Sequence, residues 1–164
     1  MRSFWYAIIV LSCLPVMLSG CNSEEWESMP DSIQRFVSHY YPGAVIESYY
    51  DNSSGYYVDI KDGASIVFSA PDAWQSLNGN GVTLPRIFIE NEMPVTLYRY
   101  LLETESVAGV YAVARDARVY RLTMFDSDLV YNISTDKITY TKWDSSASSS
   151  ISRSPSLSPY AIRR

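Results

Sequence analysis

The motif Met29-Pro30-x-x-Ile33-x-x-Phe36-Val37 recurs as Met93-Pro94-x-x-Leu97-x-x-Tyr100-Leu101, displaced by 64 residues. Self-similarity at a fixed period constrains a fold tightly, because each copy has to form the same unit and bury the same positions. The same displacement carries Ile46 onto Val110, Tyr56 onto Tyr120, Val58 onto Leu122 and Ile60 onto Met124. One residue is then lost, so that Ile66 falls on Leu129 and Phe68 on Tyr131. The order is kept throughout, and the chain reads as two tandem copies of one unit.

Each copy reads as a helix followed by strands. Pro30 suits a first helical turn, where its missing N–H is no loss. Ile33, Phe36, Val37 and Tyr40 then recur at the spacing of one helix face, and Pro42-Gly43 stops the helix. Pro94, Leu97, Tyr100 and Leu101 repeat the design, and a short extra helix over about 85–91 is expected between the halves. After each helix the period drops to two. A strand over 44–50 places Ala44, Ile46, Ser48 and Tyr50 on one face and Val45, Glu47 and Tyr49 on the other. A strand over 56–61 groups Tyr56, Val58 and Ile60 against Tyr57, Asp59 and Lys61. The apolar sets belong under a helix layer and the others in solvent. This alternation predicts Tyr50 and Tyr56 in the core and Tyr49 and Tyr57 on the open face. Turn signals at 51–55 and at Asp62-Gly63 separate these strands, and further strands are expected near 65–69, 74–77, 109–115, 118–125, 128–133 and 137–142. The expected fold class is α+β: two tandem copies of a helix plus an antiparallel β-meander unit, together about eight strands with helices on one face.

The ends have a different character. Arg2 precedes the apolar run 4–18, which is short for a bilayer span and reads as a targeting segment. Small residues then lead into Cys21 (Leu18-Ser19-Gly20-Cys21), in a pattern that resembles a bacterial lipoprotein signal, with Cys21 as the lipidated residue. Acyl chains there would anchor the protein to a membrane. Cys13 and Cys21 are the two cysteines, so no thiol is left for a disulfide, a metal or a nucleophile. Residues 144–164 are serine-rich and read as a disordered tail. The expected organisation is a signal peptide over 1–20, a tether over 21–28, repeats over 29–83 and 84–143, and the tail over 144–164. The expected localisation is the cell envelope, lipid-anchored at the outer membrane, on its periplasmic face or at the cell surface.

Charge excludes one class of partner. Residues 22–144 carry all 18 acidic residues against 9 basic ones, a net of −9. Nucleic-acid binding needs a basic footprint, so that partner is not expected. Catalytic signatures are equally thin. His39 is the single histidine and has no Gly-x-Ser-x-Gly nucleophile motif to serve. Zinc would need several His or Cys ligands, and the pairs Asp126/Asp128 and Asp51/Asn52 read better as turn residues than as calcium ligands. Glu103 and Glu105 do not share a helix face. No enzyme activity, cofactor or metal is expected. The 14 tyrosines favour binding instead, since aromatics give large contact area at low rotamer cost. On the strict alternation, the open face would carry Tyr49, Tyr57, Val67, Tyr111, Val113, Arg121 and Val130.

The segments Met-Pro…Ile…Phe-Val…Tyr-Pro-Gly-Ala (29–44), Gly-Tyr-Tyr-Val-Asp-Ile-Lys-Asp-Gly (55–63) and Ile-Val-Phe…Trp (66–74) together resemble the PepSY-like lipoproteins of Bacteroides-type bacteria, a family also described as similar to β-lactamase inhibitor protein. The resemblance covers about residues 29–140 in two copies. It implies helices packed on an antiparallel sheet. The lipoprotein-like signal, the repeat and the missing catalytic groups lead to the expected function: a non-enzymatic exported lipoprotein that binds a protein, in an inhibitory role, through the exposed face of its sheet, with a structural part in an envelope complex as the alternative. The second copy departs from the pattern, with Glu105-Ser106-Val107-Ala108 in place of Tyr-Pro-Gly-Ala and a glycine-free hairpin at 125–128. An unknown protein partner and a monomeric state complete the expectation.

Overall fold

Three helices start behind a proline. In the computed structural model, which describes residues 24–143, Pro30, Pro85 and Pro94 each cap a helix with φ between −58° and −53° and an extended ψ. They open α2 (Asp31–Tyr40), α3 (Arg86–Glu92) and α4 (Val95–Glu103); a shorter α1 (Glu24–Ser28) precedes them. Proline's fixed φ suits such a start, and its lost N–H is one the helix could not have used. Ile33, Val37 and Tyr40 are the buried stripe of α2, and Leu97 and Leu101 that of α4. Gly43, with φ of 78°, turns the chain out of α2. Glu105 takes that left-handed role after α4 at 54°, so the second copy closes its helix without glycine.

The strands are β1 (Ile46–Asn52), β2 (Gly55–Ile60), β3 (Ser65–Ala70), β4 (Ala73–Asn78), β5 (Val110–Arg115), β6 (Val119–Met124), β7 (Ser127–Asn132) and β8 (Lys137–Lys142). They form one antiparallel sheet in the order β1-β2-β3-β4-β5-β6-β7-β8. The fold is α+β, as expected, with the second meander continuing the first across the β4–β5 seam. A single core joins the buried faces of α2, α3 and α4 to Val58, Ile66, Phe68, Leu77, Val113, Leu122 and Leu129 of the sheet. Residues 24–28, expected as tether, form α1. Trp26 packs on the core, and the Gln34 side chain donates to the Trp26 and Met29 carbonyls at 2.9 Å each. Cys21 and the 144–164 tail lie outside the described residues.

Two β-bulges correct the strict alternation. In β1, Ile46 pairs with Ile60 but Ser48 pairs with Asp59, so Glu47 is an extra residue. In β5, Val110 pairs with Met124 but Ala112 pairs with Thr123, so Tyr111 is extra. Positions 47 and 111 are equivalent in the repeat, and both copies therefore carry the bulge at one place. An extra residue exchanges the faces of everything after it. Tyr49 consequently pairs with Val58 on the helix side, and Tyr50 with Tyr57 on the open side, the reverse of the predicted assignment. Val113 pairs with Leu122 and is fully buried, not open. One unbroken row on the open face now runs Tyr50, Tyr57, Val67, Ser76, Ala114, Arg121, Val130, Thr139.

Candidate functional site

The open face is aromatic at one end, small in the middle and charged at the other. Tyr50 and Tyr57 stack with ring centroids 4.6 Å apart and planes 7° from parallel. Tyr50 is 51% exposed, which makes this a solvent-facing aromatic pair rather than core. Val67 continues the row half-buried, and Ser76 and Ala114, its shortest side chains, span the β4–β5 seam. Arg121 and Val130 follow. The Arg121 guanidinium lies 3.1 Å from the Asp116 carboxylate. Asp116 also accepts the backbone N–H groups of Arg118 (2.7 Å) and Val119 (3.0 Å). These bonds, that from Arg118 first and that from Arg121 next, hold the Asp116 carboxyl below its ordinary value. A fixed anion at the β5–β6 turn thus orients Arg121 across the sheet.

A second open-face row is polar: Ser48 donates to Asp59 at 2.8 Å, and Thr123 donates to Asp128 at 3.2 Å. Asp128 also accepts the Trp143 indole N–H at 3.0 Å. The connecting segment closes one end of this face, with Asn80 bonded to the Gly63 carbonyl and the Ser65 hydroxyl, and the Gly79 N–H donating to the Tyr111 carbonyl at 2.8 Å. A Cβ on Gly79 would run into the Val82 carbonyl oxygen, so this close approach requires glycine.

Of the seven residues read from sequence, the structure brings Tyr57, Val67, Arg121 and Val130 into one row. Tyr111 sits in the β5 bulge, with its ring 6.5 Å from the exposed Phe125. Tyr49 and Val113 leave the site for the helix side. Burial, then the neighbouring Asp51 and Tyr56, raise the Tyr49 phenol above its ordinary value. Tyr50 was missed. Its signal is the odd spacing between Ile46 and Tyr49, two positions that both face the helices.

His39 is exposed on α2, with its Nε2 3.3 Å from the Asn91 side-chain nitrogen. Among the described residues no group of three or more His, Cys, Asp or Glu could hold a metal ion, and no helix is long and apolar enough to cross a membrane. The tightest polar cluster is structural. Glu92 accepts the Tyr40 hydroxyl and the Trp74 indole N–H, each at 2.6 Å, and Arg115 lies 3.9 Å over the Trp74 ring. Burial first, then Glu92, pushes the Tyr40 phenol up to about 12. A phenol that holds its proton more tightly when folded stabilises the fold fully below its unfolded value, near 10, and loses that contribution as pH rises towards 12. The melting temperature should therefore fall more steeply between pH 10 and 12 in the native chain than in Tyr40→Phe. Parallel curves from a thermal melt series would remove Tyr40 as the cause.

Comparison with known proteins finds the same fold in solved structures from Bacteroides. A candidate periplasmic protein of the DUF2874 family from Bacteroides vulgatus superposes with a TM-score of 0.59 at 14% identity, over 70% of this chain and 90% of its own. A candidate calcium-regulated periplasmic protein from Bacteroides thetaiotaomicron gives 0.57 at 16% identity, over 70% and 92%. A second B. vulgatus structure, a candidate periplasmic protein of unknown function, gives 0.59 at 13%, over 73% and 97%. What the three share with this chain is the fold. No family model matches the chain, and no curated protein matches it.

Proposed function

We propose that this chain is a non-enzymatic, exported lipoprotein that binds a protein through the open face of its sheet. The observation that carries the reading is the Tyr50–Tyr57 stack, set beside Val67 at one end of a face whose other end presents Arg121 and Val130. Among the described residues the helices pack on the opposite face, and the Tyr50–Tyr57 stack has no helix over it. Exposed aromatic pairs with an oriented arginine are the composition of binding hot spots. Anchoring through lipid on Cys21, at the outer membrane in the periplasm or on the cell surface, is supported by the signal-like segment before it and by the periplasmic origin of the fold neighbours. Likeness to the PepSY-like and β-lactamase-inhibitor-like proteins rests on the residue pattern, and inhibition of the partner is the form of binding it suggests.

The double variant Tyr50→Ala/Tyr57→Ala is expected to keep its melting temperature within a few degrees and to weaken capture of a partner from envelope extracts by about a hundredfold, on the scale of a two-residue hot spot. Undiminished capture would remove the face as the site. If deleting 145–164 abolishes capture while the tyrosine variant retains it, the contact belongs to the tail, and a structural role in an envelope complex takes the place of face binding.

A further inference from the structure

The two copies within the chain meet by pairing the last strand of the first with the first strand of the second. In that seam Ser76 pairs with Ala114, Leu77 with Val113 and Asn78 with Ala112. The repeat carries these β4 residues onto Thr139, Tyr140 and Thr141 of β8, because Val67, Ile66 and Ser65 pair with the first set as Val130, Leu129 and Asp128 pair with the second. It likewise relates Ala114, Val113 and Ala112 of β5 to Tyr50, Tyr49 and Ser48 of β1. Among the described residues, β1 pairs only with β2 and β8 only with β7. Both outer edges thus repeat the two edges that already join inside the molecule.

We propose that this chain associates with a second copy of itself, edge to edge, by adding β1 of one copy to β8 of another in the register of the β4–β5 seam. The pairs would be Thr139 with Tyr50, Tyr140 with Tyr49, and Thr141 with Ser48. Strand direction is right, since β8 and β1 run opposite to each other as β4 and β5 do. The β1 bulge is no obstacle, because β5 carries the same bulge and pairs with β4 just beyond it.

Charge selects this pairing over its rivals. β8 presents Lys137 and Lys142, while β1 presents Glu47 and Asp51. In the seam register Lys142 falls opposite Glu47, the position where Gly79 meets Tyr111 inside the molecule. Lys137 falls opposite Asn52 at the other end, on the face away from Asp51, so the Lys142–Glu47 pair carries the charge match. Two β8 edges would set lysine against lysine, and two β1 edges carboxylate against carboxylate, both unfavourable. Mixed pairing also covers Tyr140 and Tyr50, each 51% exposed in the single chain. The helix layer fits as well. A hollow of about 500 Å³, lined by Tyr100, Met124, Leu129 and Tyr140 among others, lies over β8 on the helix side. The matching position in the first copy is filled by α3, whose Phe88 packs on Trp74. α1 stands before Met29-Pro30 as α3 stands before Met93-Pro94, and α1 of the added copy is the element the repeat brings there. Such a contact is heterologous and leaves a free edge at each end, so it continues into linear chains unless a ring closes.

Cysteine pairing tests this directly. In the full chain in mild detergent, with Cys13→Ser and Cys21→Ser, the pair Ser48→Cys/Thr141→Cys should form a ladder of disulfide-linked dimers, trimers and longer species on mild oxidation. The two cysteines of one chain stand at opposite edges, roughly 34 Å apart at ordinary strand spacing, and cannot bridge within it. An equimolar mixture of the two single variants should stop at dimers. Monomer alone from the double variant, or equally efficient cross-linking of Thr141→Cys by itself, would overturn the proposal. In sedimentation, Lys142→Glu should weaken self-association about tenfold, and mixing it with Glu47→Lys chains should restore it; no change on either substitution counts against the register.

Discussion

Deleting Tyr111 should unfold the protein, whereas deleting its repeat equivalent Glu47 should only weaken it. Both residues are the extra residue of a bulge, and removing either forces one side of its strand onto the wrong face. In β5 the choice is between Val110 and Val113, both fully buried, and a turned-out valine gives up about 1.5–3 kcal/mol of burial. β5 is also paired on both sides, to β4 and β6. A slip therefore breaks two ladders at once and disturbs the Leu84 N–H to Val110 carbonyl bond that holds the connecting segment. The sum is on the order of 5 kcal/mol or more, comparable to the whole stability of many domains. Among the described residues β1 has one neighbour, and either Ile46 or the half-buried Tyr49 would turn outward, for roughly 2–3 kcal/mol. Urea titration of both deletions measures the difference. Equal midpoints would show that the bulges are local accommodations with no hold on register.

The same bulges mark the limit of what could be read from the residues. Helix starts at Pro30 and Pro94, the meander, and the duplication are all periodic signals, and period survives without tertiary information. A bulge adds one residue without glycine or proline to announce it, as Glu47 and Tyr111 show. Its trace is subtler: Val110 and Val113 are three apart in a strand where core residues should be an even number apart, and Ile46 and Tyr49 repeat that spacing. Taking the two copies together, the odd interval occurs twice at equivalent positions, which strict alternation treats as noise. That single omission exchanged Tyr49 for Tyr50 and placed Val113 in the site. α1 escaped for another reason. Its sequence, Glu-Glu-Trp-Glu-Ser, is too short and too acidic to show a face, and it is held by Gln34 from the next helix, a tertiary contact.

Phe88→Ala should cost about 3–5 kcal/mol, the range for emptying a buried aromatic site. Its ring is fully buried and meets Tyr40 and Trp74 edge-on at 5.3 and 5.2 Å, with Phe36 at 6.1 Å. Those partners belong to α2 and β4 of the first copy, while α3 leads directly into α4 of the second. The ring is thus where the helix of one half is fastened to the sheet of the other. Glu92→Ala acts on the same fastening by another route, leaving the Tyr40 hydroxyl and the Trp74 N–H without their acceptor, at about 1–3 kcal/mol for each buried group left unpaired. Because either change loosens α3 from one seat, the double variant should lose less than the two single losses added together, by about 0.5–3 kcal/mol. Denaturant unfolding of the four species closes that cycle. Strict additivity would mean that ring and carboxylate stabilise separate parts, and that α3 is a connector between the copies with no part in joining them.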